Sequence, residues 1–223
     1  MLRSRRTGCV CRRPLRLIVR GRPRTSGMRT FSKTTPALVA SLIGDPFYQA
    51  ITVDCGVDIE PRLSVLSRYF EYSLQEADRT GRCTVPEDPA LGAAAWLLPR
   101  TPEVEVAEAS AKAAYLAGLL GPKGWDNYRR IIEFMSHRSE LVVPLDAWYL
   151  TIVGVHPAAQ GRGIGAQLVR PTLAEATQAG AYAFLETFTQ RSLVFYERIG
   201  FVRAAEFVEP TTKAQYVVML RNP

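Results

Sequence analysis

A chain of 223 residues that is 47% hydrophobic and 22% charged has the composition of a folded globular protein, which excludes a collagen-like or wholly disordered polymer. No apolar run approaches the roughly 18 residues that would mark a membrane-spanning helix. The formal charge of +7 is unevenly placed: residues 1–30 hold ten arginines and no acid, and without them 18 basic residues face 21 acidic ones, a body of net −3.

The basic arm admits three readings. It is a contact for nucleic acid or an anionic membrane, an arginine-rich and acid-poor transit peptide, or material preceding a biological start at Met28. Residues 1–30 are therefore expected to be a separable arm, disordered or not native to the mature protein, and residues 31–223 a single domain. Cys9 and Cys11 sit in the arm, Cys55 and Cys83 lie far apart, and only His137 and His156 are present. Such scattered ligands do not make a zinc site, so no metal is expected; reduced cysteines in a cytoplasmic protein fit best.

Thr35-Pro36 reads as an N-cap followed by proline at the first helical position, opening a short helix over residues 37–42 that Gly44-Asp45-Pro46 ends. The aromatic segment 45–51 has no decisive period. Pro61 opens a second helix to about residue 76, with Leu63, Leu66, Phe70 and Leu74 forming one apolar face. Residues 81–89 are rich in turn formers, and 91–98 read as a buried strand stopped by Pro99. Helices follow over 103–120, closed by Gly121, and over 126–138, with Tyr128, Ile131, Ile132 and Met135 facing inward. The β-branched and aromatic run 147–155 is a strand. A helix over 163–179, a strand over 181–187, a helix over 191–199 closed by Gly200, and strands over 201–207 and 215–220 complete the chain. Strands alternating with helices place the domain in the α/β class, a mixed sheet with helices packed over it.

The strand at 147–155 leads through His156-Pro157-Ala158-Ala159-Gln160 into Gly161-Arg162-Gly163-Ile164-Gly165-Ala166 and then a helix. Glycines permit a tight turn whose successive N–H groups converge on one anion, and a helix N-terminus adds unpaired donors and partial positive charge. A pyrophosphate is the group expected there, with Arg162 and Arg170 placed to add charge-assisted bonds. An ordinary strand-to-helix loop is the plain alternative. No Gly-Lys-Ser/Thr follows, which removes a Walker loop. Gly161, Gly163 and Ala166 do satisfy a dinucleotide fingerprint, with Glu186 as the ribose-binding acid. That reading is disfavoured by the connector holding Pro157, and by how little chain remains for a double winding.

Val153-Gly154-Val155-His156-Pro157 followed by Gln160-Gly161-Arg162-Gly163-Ile164-Gly165-Ala166 resembles the acetyl-CoA loop of the GNAT superfamily of N-acetyltransferases. Phe195-Tyr196-Glu197-Arg198-Ile199-Gly200-Phe201 resembles that family's C-terminal signature, in the right order and at a plausible separation. Trp148-Tyr149-Leu150 and Phe184-Leu185-Glu186-Thr187 are similar to the puromycin N-acetyltransferase-like branch. The resemblance spans about 31–220, with its specific motifs within 147–202.

The resemblance implies a predominantly antiparallel central sheet with a splayed central strand, and an acetyl-CoA-dependent N-acetyltransferase. By that resemblance, backbone groups near Ile152, Val153 and Val155 bind the pantetheine and polarise the thioester carbonyl. The turn from Gln160 through Gly161, Arg162, Gly163, Ile164, Gly165 and Ala166 takes the pyrophosphate. Tyr196 meets the CoA sulfur and protonates the leaving thiolate, and Glu186 matches an acid that serves as base for the incoming ammonium. Asp146, Glu133, His156 and a water relay are alternatives for the base. Where many relatives have Asn, this chain has Ser192, whose shorter reach puts an Asn-dependent contact in doubt while leaving a cofactor contact for Ser192 itself.

The acceptor side is rich in aromatic residues: Phe47, Tyr48, Tyr69, Phe70, Trp96, Trp148 and Tyr149, over half of them expected in the core. With the acidic body, they favour a small, cationic and partly apolar or aromatic primary amine, attacked directly in a ternary complex; a puromycin-like antibiotic-resistance activity is one form of this. The alternatives are acetylation of protein N-termini or lysines, signalled by an open groove, and a non-catalytic acetyl-CoA-binding regulatory module. The partners expected are the amine and, through the basic arm alone, nucleic acid; a homodimer is compatible, and no membrane partner is expected.

Overall fold

The structure, a computed structural model, describes residues 30–223; the arginines and cysteines of the basic arm, and Met28, lie outside the described residues. The element order is α1 (Thr35–Leu42), α2 (Pro46–Ile51), α3 (Ile59–Thr80), β1 (Gly81–Thr84), β2 (Gly92–Leu97), α4 (Pro102–Leu119), α5 (Gly121–Ser139), β3 (Trp148–Val155), α6 (Ile164–Gln178), β4 (Ala183–Thr187), α7 (Gln190–Arg198), β5 (Val202–Val208) and β6 (Gln215–Arg221). The sheet runs β1-β2-β3-β4-β6-β5. Neighbours are antiparallel except β3 and β4, which are parallel. The described residues form a mixed α/β fold with a helix-flanked central sheet, as the alternating pattern predicts. A doubly wound parallel frame, which the dinucleotide reading requires, is absent among them.

The sheet divides the core in two. Ala93 and Ala95 of β2 face one apolar cluster, built with residues of α1, α2, α3, α4 and α5, whereas Ala94 and Trp96 face the other, built with α6 and α7. All four side chains are fully buried, so β2 is covered on both faces and its alanines make room for helices on each. Gly154 of β3 serves the same end: a Cβ there would come within 2.7 Å of Leu38 on α1. Truncating Trp96 to Ala is expected to cost about 3–5 kcal/mol of stability, towards the lower end because its buried indole Nε1 has no partner. A urea titration measures this, and a loss below 1 kcal/mol would show that this side of the core collapses around the gap.

One irregularity in β3 positions the site. Ala95 pairs with Ile152 and Trp96 with Leu150, so Thr151 is an extra residue opposite β2, and its hydroxyl donates to the Ala95 carbonyl at 3.2 Å. Such a bulge bends the strand and breaks the two-residue alternation of its faces, so that residues two apart point to opposite sides. Leu150 accordingly packs in the α6 cluster and Ile152 in the other. Pairing between β3 and β4 stops at the same place, its last pair being Leu150 with Leu185. From Thr151 onward the two parallel strands diverge, leaving the β3 edge unpaired on that side.

Several local expectations are corrected. Segment 45–51 is a helix, α2, because the Asp45 side chain caps it by accepting from the Phe47 N–H at 2.9 Å. Thr34 rather than Thr35 is the N-cap of α1. Part of the turn-rich stretch is β1, an edge strand held by its pairing with β2. Helix α5 begins at Gly121, because Asp54 from a distant turn accepts from the N–H groups of Lys123 at 2.7 Å and Gly124 at 2.9 Å. That cap satisfies orphan donors from outside the segment, so nothing local announces it. Ile132, expected inward, is exposed.

Candidate active site

The wedge between β3 and β4 opens into a groove of about 1040 Å³. Its walls are the end of β3 (Val153, Gly154, Val155), the glycine turn, the start of α6, the inner side of α7 and the α1–α2 connection. Gly161 and Gly163 have φ of 76° and 80°, the left-handed region that favours glycine, and Gly163 is the N-cap of α6. The first N–H groups of α6 have no intrahelical partner and open onto this groove. A Cβ on Gly165 would meet the Phe195 ring at 3.3 Å, so glycine there lets α6 approach α7.

Gln160, Gly161, Gly163, Ile164, Gly165, Ala166, Val153, Val155, Ser192 and Tyr196 all border the groove. The exposed Arg162 does not; Arg170, Arg191 and Arg198 do, and among the described residues none of these three forms a salt bridge. The Gln160 side-chain amide donates to the Val155 carbonyl at 3.0 Å, tying the turn to the strand end. His156 Nδ1 accepts from the Ala158 N–H at 3.3 Å and caps the short turn 157–159. These features suit a long anionic ligand: main-chain donors at one end, unpaired arginines beside them and an unpaired strand edge behind.

Gly163→Ala tests the turn. No atom lies within 4 Å of the added Cβ, so the change acts through backbone strain, about 1–2 kcal/mol for a non-glycine residue in the left-handed region. The expected result is a Kd for acetyl-CoA weakened about tenfold by calorimetry; an unchanged Kd would remove the turn from the binding site.

Tyr196 reaches the groove from α7, packed beside Phe195 and edge-on to Phe201, at ring separations of 5.1 and 6.3 Å. Burial, and then the nearby Asp45 charge, push its pKa far above the usual phenol range, so it stays protonated at neutral pH. Among the described residues, nothing hydrogen-bonds to its hydroxyl.

A second cavity of about 150 Å³ adjoins the groove; Leu42, Asp45, Val153, Thr187 and Phe188 border both. Of the acceptor-side aromatics, Phe47, Tyr48, Tyr69 and Tyr149 line this cavity, with Tyr128 beside them. Phe70 and Trp96 are wholly core, and Trp148 packs against the α6 cluster. Ile152 and Glu186 border the smaller cavity and not the groove. Glu186 accepts from the Tyr216 hydroxyl; burial nevertheless raises its pKa above the usual carboxylate range. Asp146 and Glu133 are exposed and border neither cavity.

Asp45 is the residue that sequence reasoning missed. It stands at the junction, accepting from the Phe47 N–H at 2.9 Å and from the Thr189 hydroxyl at 2.8 Å. Burial raises its pKa, against the hydrogen bonds and the Arg191 charge that lower it. In sequence, Asp45-Pro46 carries the signal of a helix boundary and opens a stretch, Asp45-Pro46-Phe47-Tyr48, that weakly resembles the puromycin-type branch; neither gives the carboxylate a role.

Residues 127–203 match a family model described as "Acetyltransferase (GNAT) domain". The structure is similar to that of a Drosophila melanogaster polyamine N-acetyltransferase, with a TM-score of 0.61 at 14% identity, over 86% of this chain and 95% of that one. It is also similar to a Corynebacterium glutamicum protein described as histone acetyltransferase HPA2 and related acetyltransferase (TM-score 0.58, 20% identity, 86% and 91% coverage). A third similar structure is arylalkylamine N-acetyltransferase 2 from Aedes aegypti (TM-score 0.57, 12% identity, 86% and 94% coverage). The fold is that of the GNAT acetyltransferases. The GNAT match takes in β3, the glycine turn, α6, β4 and α7, so it covers most of the groove and stops short of Asp45. Among the described residues no cluster of three or more His, Cys, Asp or Glu is placed to hold a metal, and no helix is long and apolar enough to cross a membrane.

Proposed function

We propose that the protein transfers the acetyl group of acetyl-CoA to the primary amine of a small, cationic and partly apolar molecule, within a ternary complex. The observation that carries this reading is the junction of the two cavities, where Val153 and Asp45 border both and Tyr196 borders the groove. The groove takes the cofactor: N–H groups of the glycine turn and α6 hold the pyrophosphate, with Arg170, Arg191 and Arg198 alongside. The free edge of β3 near Ile152, Val153 and Val155 takes the pantetheine.

The acceptor enters the aromatic cavity as an ammonium. Asp45, ionised, takes its proton, either directly or through water. The amine nitrogen then attacks the thioester carbonyl; a C–N bond forms and the C–S bond breaks. Asp45 passes the first proton to solvent and takes the second as the amide forms, while Tyr196 protonates the departing thiolate and regains its proton by way of water. The products are the N-acetylated amine and the free CoA thiol. Asp45 suits the proton step better than Glu186, which borders only the acceptor cavity. Its raised pKa brings it nearer the operating pH of a general base.

The bounded size of the acceptor cavity supports a small amine over a protein N-terminus or lysine. An engineered cavity of about 150 Å³ holds one benzene. The similar polyamine and arylalkylamine N-acetyltransferases act, by their names, on small amines. The specific motifs shared with the puromycin-type branch lie within 147–202, which holds the cofactor half and only part of the acceptor cavity; the rest of that cavity comes from segments upstream. The test is free thiol release from acetyl-CoA across a panel of small amines and peptides, together with calorimetric titration of acetyl-CoA. Turnover on small amines is expected; tight acetyl-CoA binding without turnover would favour the regulatory module, and no binding would overturn the reading.

A further inference from the structure

Glu186 has a countercharge problem. It is a carboxylate near the middle of the sheet, on β4, and its hydrogen-bond partner is a neutral hydroxyl, that of Tyr216. Among the described residues it forms no salt bridge. It is half-buried, and a carboxylate partly withdrawn from water is ordinarily paired with a cation, since an unpaired charge there is costly. The nearest candidate on the same cavity, Lys112, is already taken: its Nζ lies 2.8 Å from Glu76, which also faces Arg100 at 3.8 Å. A carboxylate offers about four acceptor positions, and the Tyr216 hydroxyl leaves others open to the cavity that Glu186 lines.

The two acids divide the acceptor cavity between them. Asp45 stands where the cavity meets the groove; Glu186 borders the cavity alone, away from the groove. The rings of Phe47, Tyr48, Tyr69 and Tyr149 line the same cavity; their faces attract a cation and their bodies accommodate methylenes.

We propose that Glu186 is a specificity-determining residue that binds the distal cation of a two-headed acceptor, so that the preferred substrates are short α,ω-diamines or amino-guanidines acetylated at one end. The inference rests on the acetyl-transfer reading and names the acceptor class for that same site. One ammonium meets Asp45 and reacts. The other remains charged and supplies the countercharge that Glu186 lacks. A neutral distal group leaves Glu186 without a cation, and a plain alkyl tail also leaves its open acceptor positions empty.

The test compares 1,4-diaminobutane, 4-amino-1-butanol and 1-butylamine as acceptors, with wild type and Glu186→Gln. Glutamine preserves the shape and one acceptor oxygen while removing the charge. For wild type, kcat/KM is expected to favour the diamine over either monoamine by tenfold or more. In Glu186→Gln that ratio is expected to fall at least tenfold, mainly through a raised KM for the diamine. Wild type turning over all three alike overturns the proposal, as does a Gln variant that keeps the preference or loses kcat equally on every acceptor. The wild-type comparison of diamine with amino-alcohol decides the matter by itself if the variant fails to fold. If no amine is acetylated, the transfer reading fails separately, and titration of 1,4-diaminobutane into the CoA-bound protein still tests the site: binding at least tenfold tighter than butylamine, lost in Glu186→Gln, supports it, and no binding overturns it.

Discussion

Replacing Tyr196 by Phe is expected to lower kcat about 100-fold or more while changing the Kd for acetyl-CoA less than threefold. Loss of a positioned proton donor costs about 10²–10⁴ in rate. The substitution removes one hydroxyl from a ring that Phe195 and Phe201 hold in place, so the shape of the groove survives. The phenol has two properties that the role needs. It faces the groove, and its pKa is pushed upward by burial and then by Asp45, so that it carries its proton throughout the neutral range. Steady-state thiol release and calorimetry separate the two quantities. Equal losses in kcat and in acetyl-CoA affinity would instead make Tyr196 a packing residue of the cofactor groove.

Replacing Asp45 by Asn is expected to lower kcat/KM for the amine by about 100-fold and to change the pH profile. The sign follows from the direction of the shift. Burial raises the Asp45 pKa, so the group is protonated and inactive as a base below that value and becomes competent as pH rises through it. Wild-type kcat/KM therefore climbs more steeply at the acid end than amine deprotonation alone dictates. The Asn variant retains only the climb due to the amine. Asparagine is as good an N-cap as aspartate, so the cap on α2 survives and the loss reports chemistry. Asp45→Ala makes the contrast, since it also removes the acceptor for the Phe47 N–H and the Thr189 hydroxyl. An Asn variant whose pH profile matches wild type would move the proton to another group.

The cofactor half of the site was readable because its chemistry is local in sequence. Glycines at 161 and 163, a helix directly after them and a strand directly before form one continuous segment, and their left-handed φ values follow from residue type. Strand β3 was equally plain from its β-branched and aromatic run. The bulge at Thr151 was not, because it depends on where Ala95 and Trp96 of β2 sit opposite. The splay it accompanies turns an ordinary strand edge into a groove wall.

The acceptor half was hidden for a different reason. Asp45, Tyr69, Lys112, Tyr128, Tyr149 and Glu186 come from six separate elements or connections, and no spacing in the chain relates them. Seven aromatics were evident as a set; which of them would be core depended on packing, since Phe70 is sealed under α3 while Tyr69, its neighbour in sequence, borders the cavity.

The amino-acid sequence by itself determined most element types, the α/β class and the glycine turn before α6, because periodicity and glycine placement act within a few residues. Tertiary structure alone decided that Asp45 would stand at the junction of two cavities and that Glu186 would face the acceptor side without a cationic partner. Burial and the absence of a counterion are properties of the space around a carboxylate, and that space is assembled from residues distant in the chain.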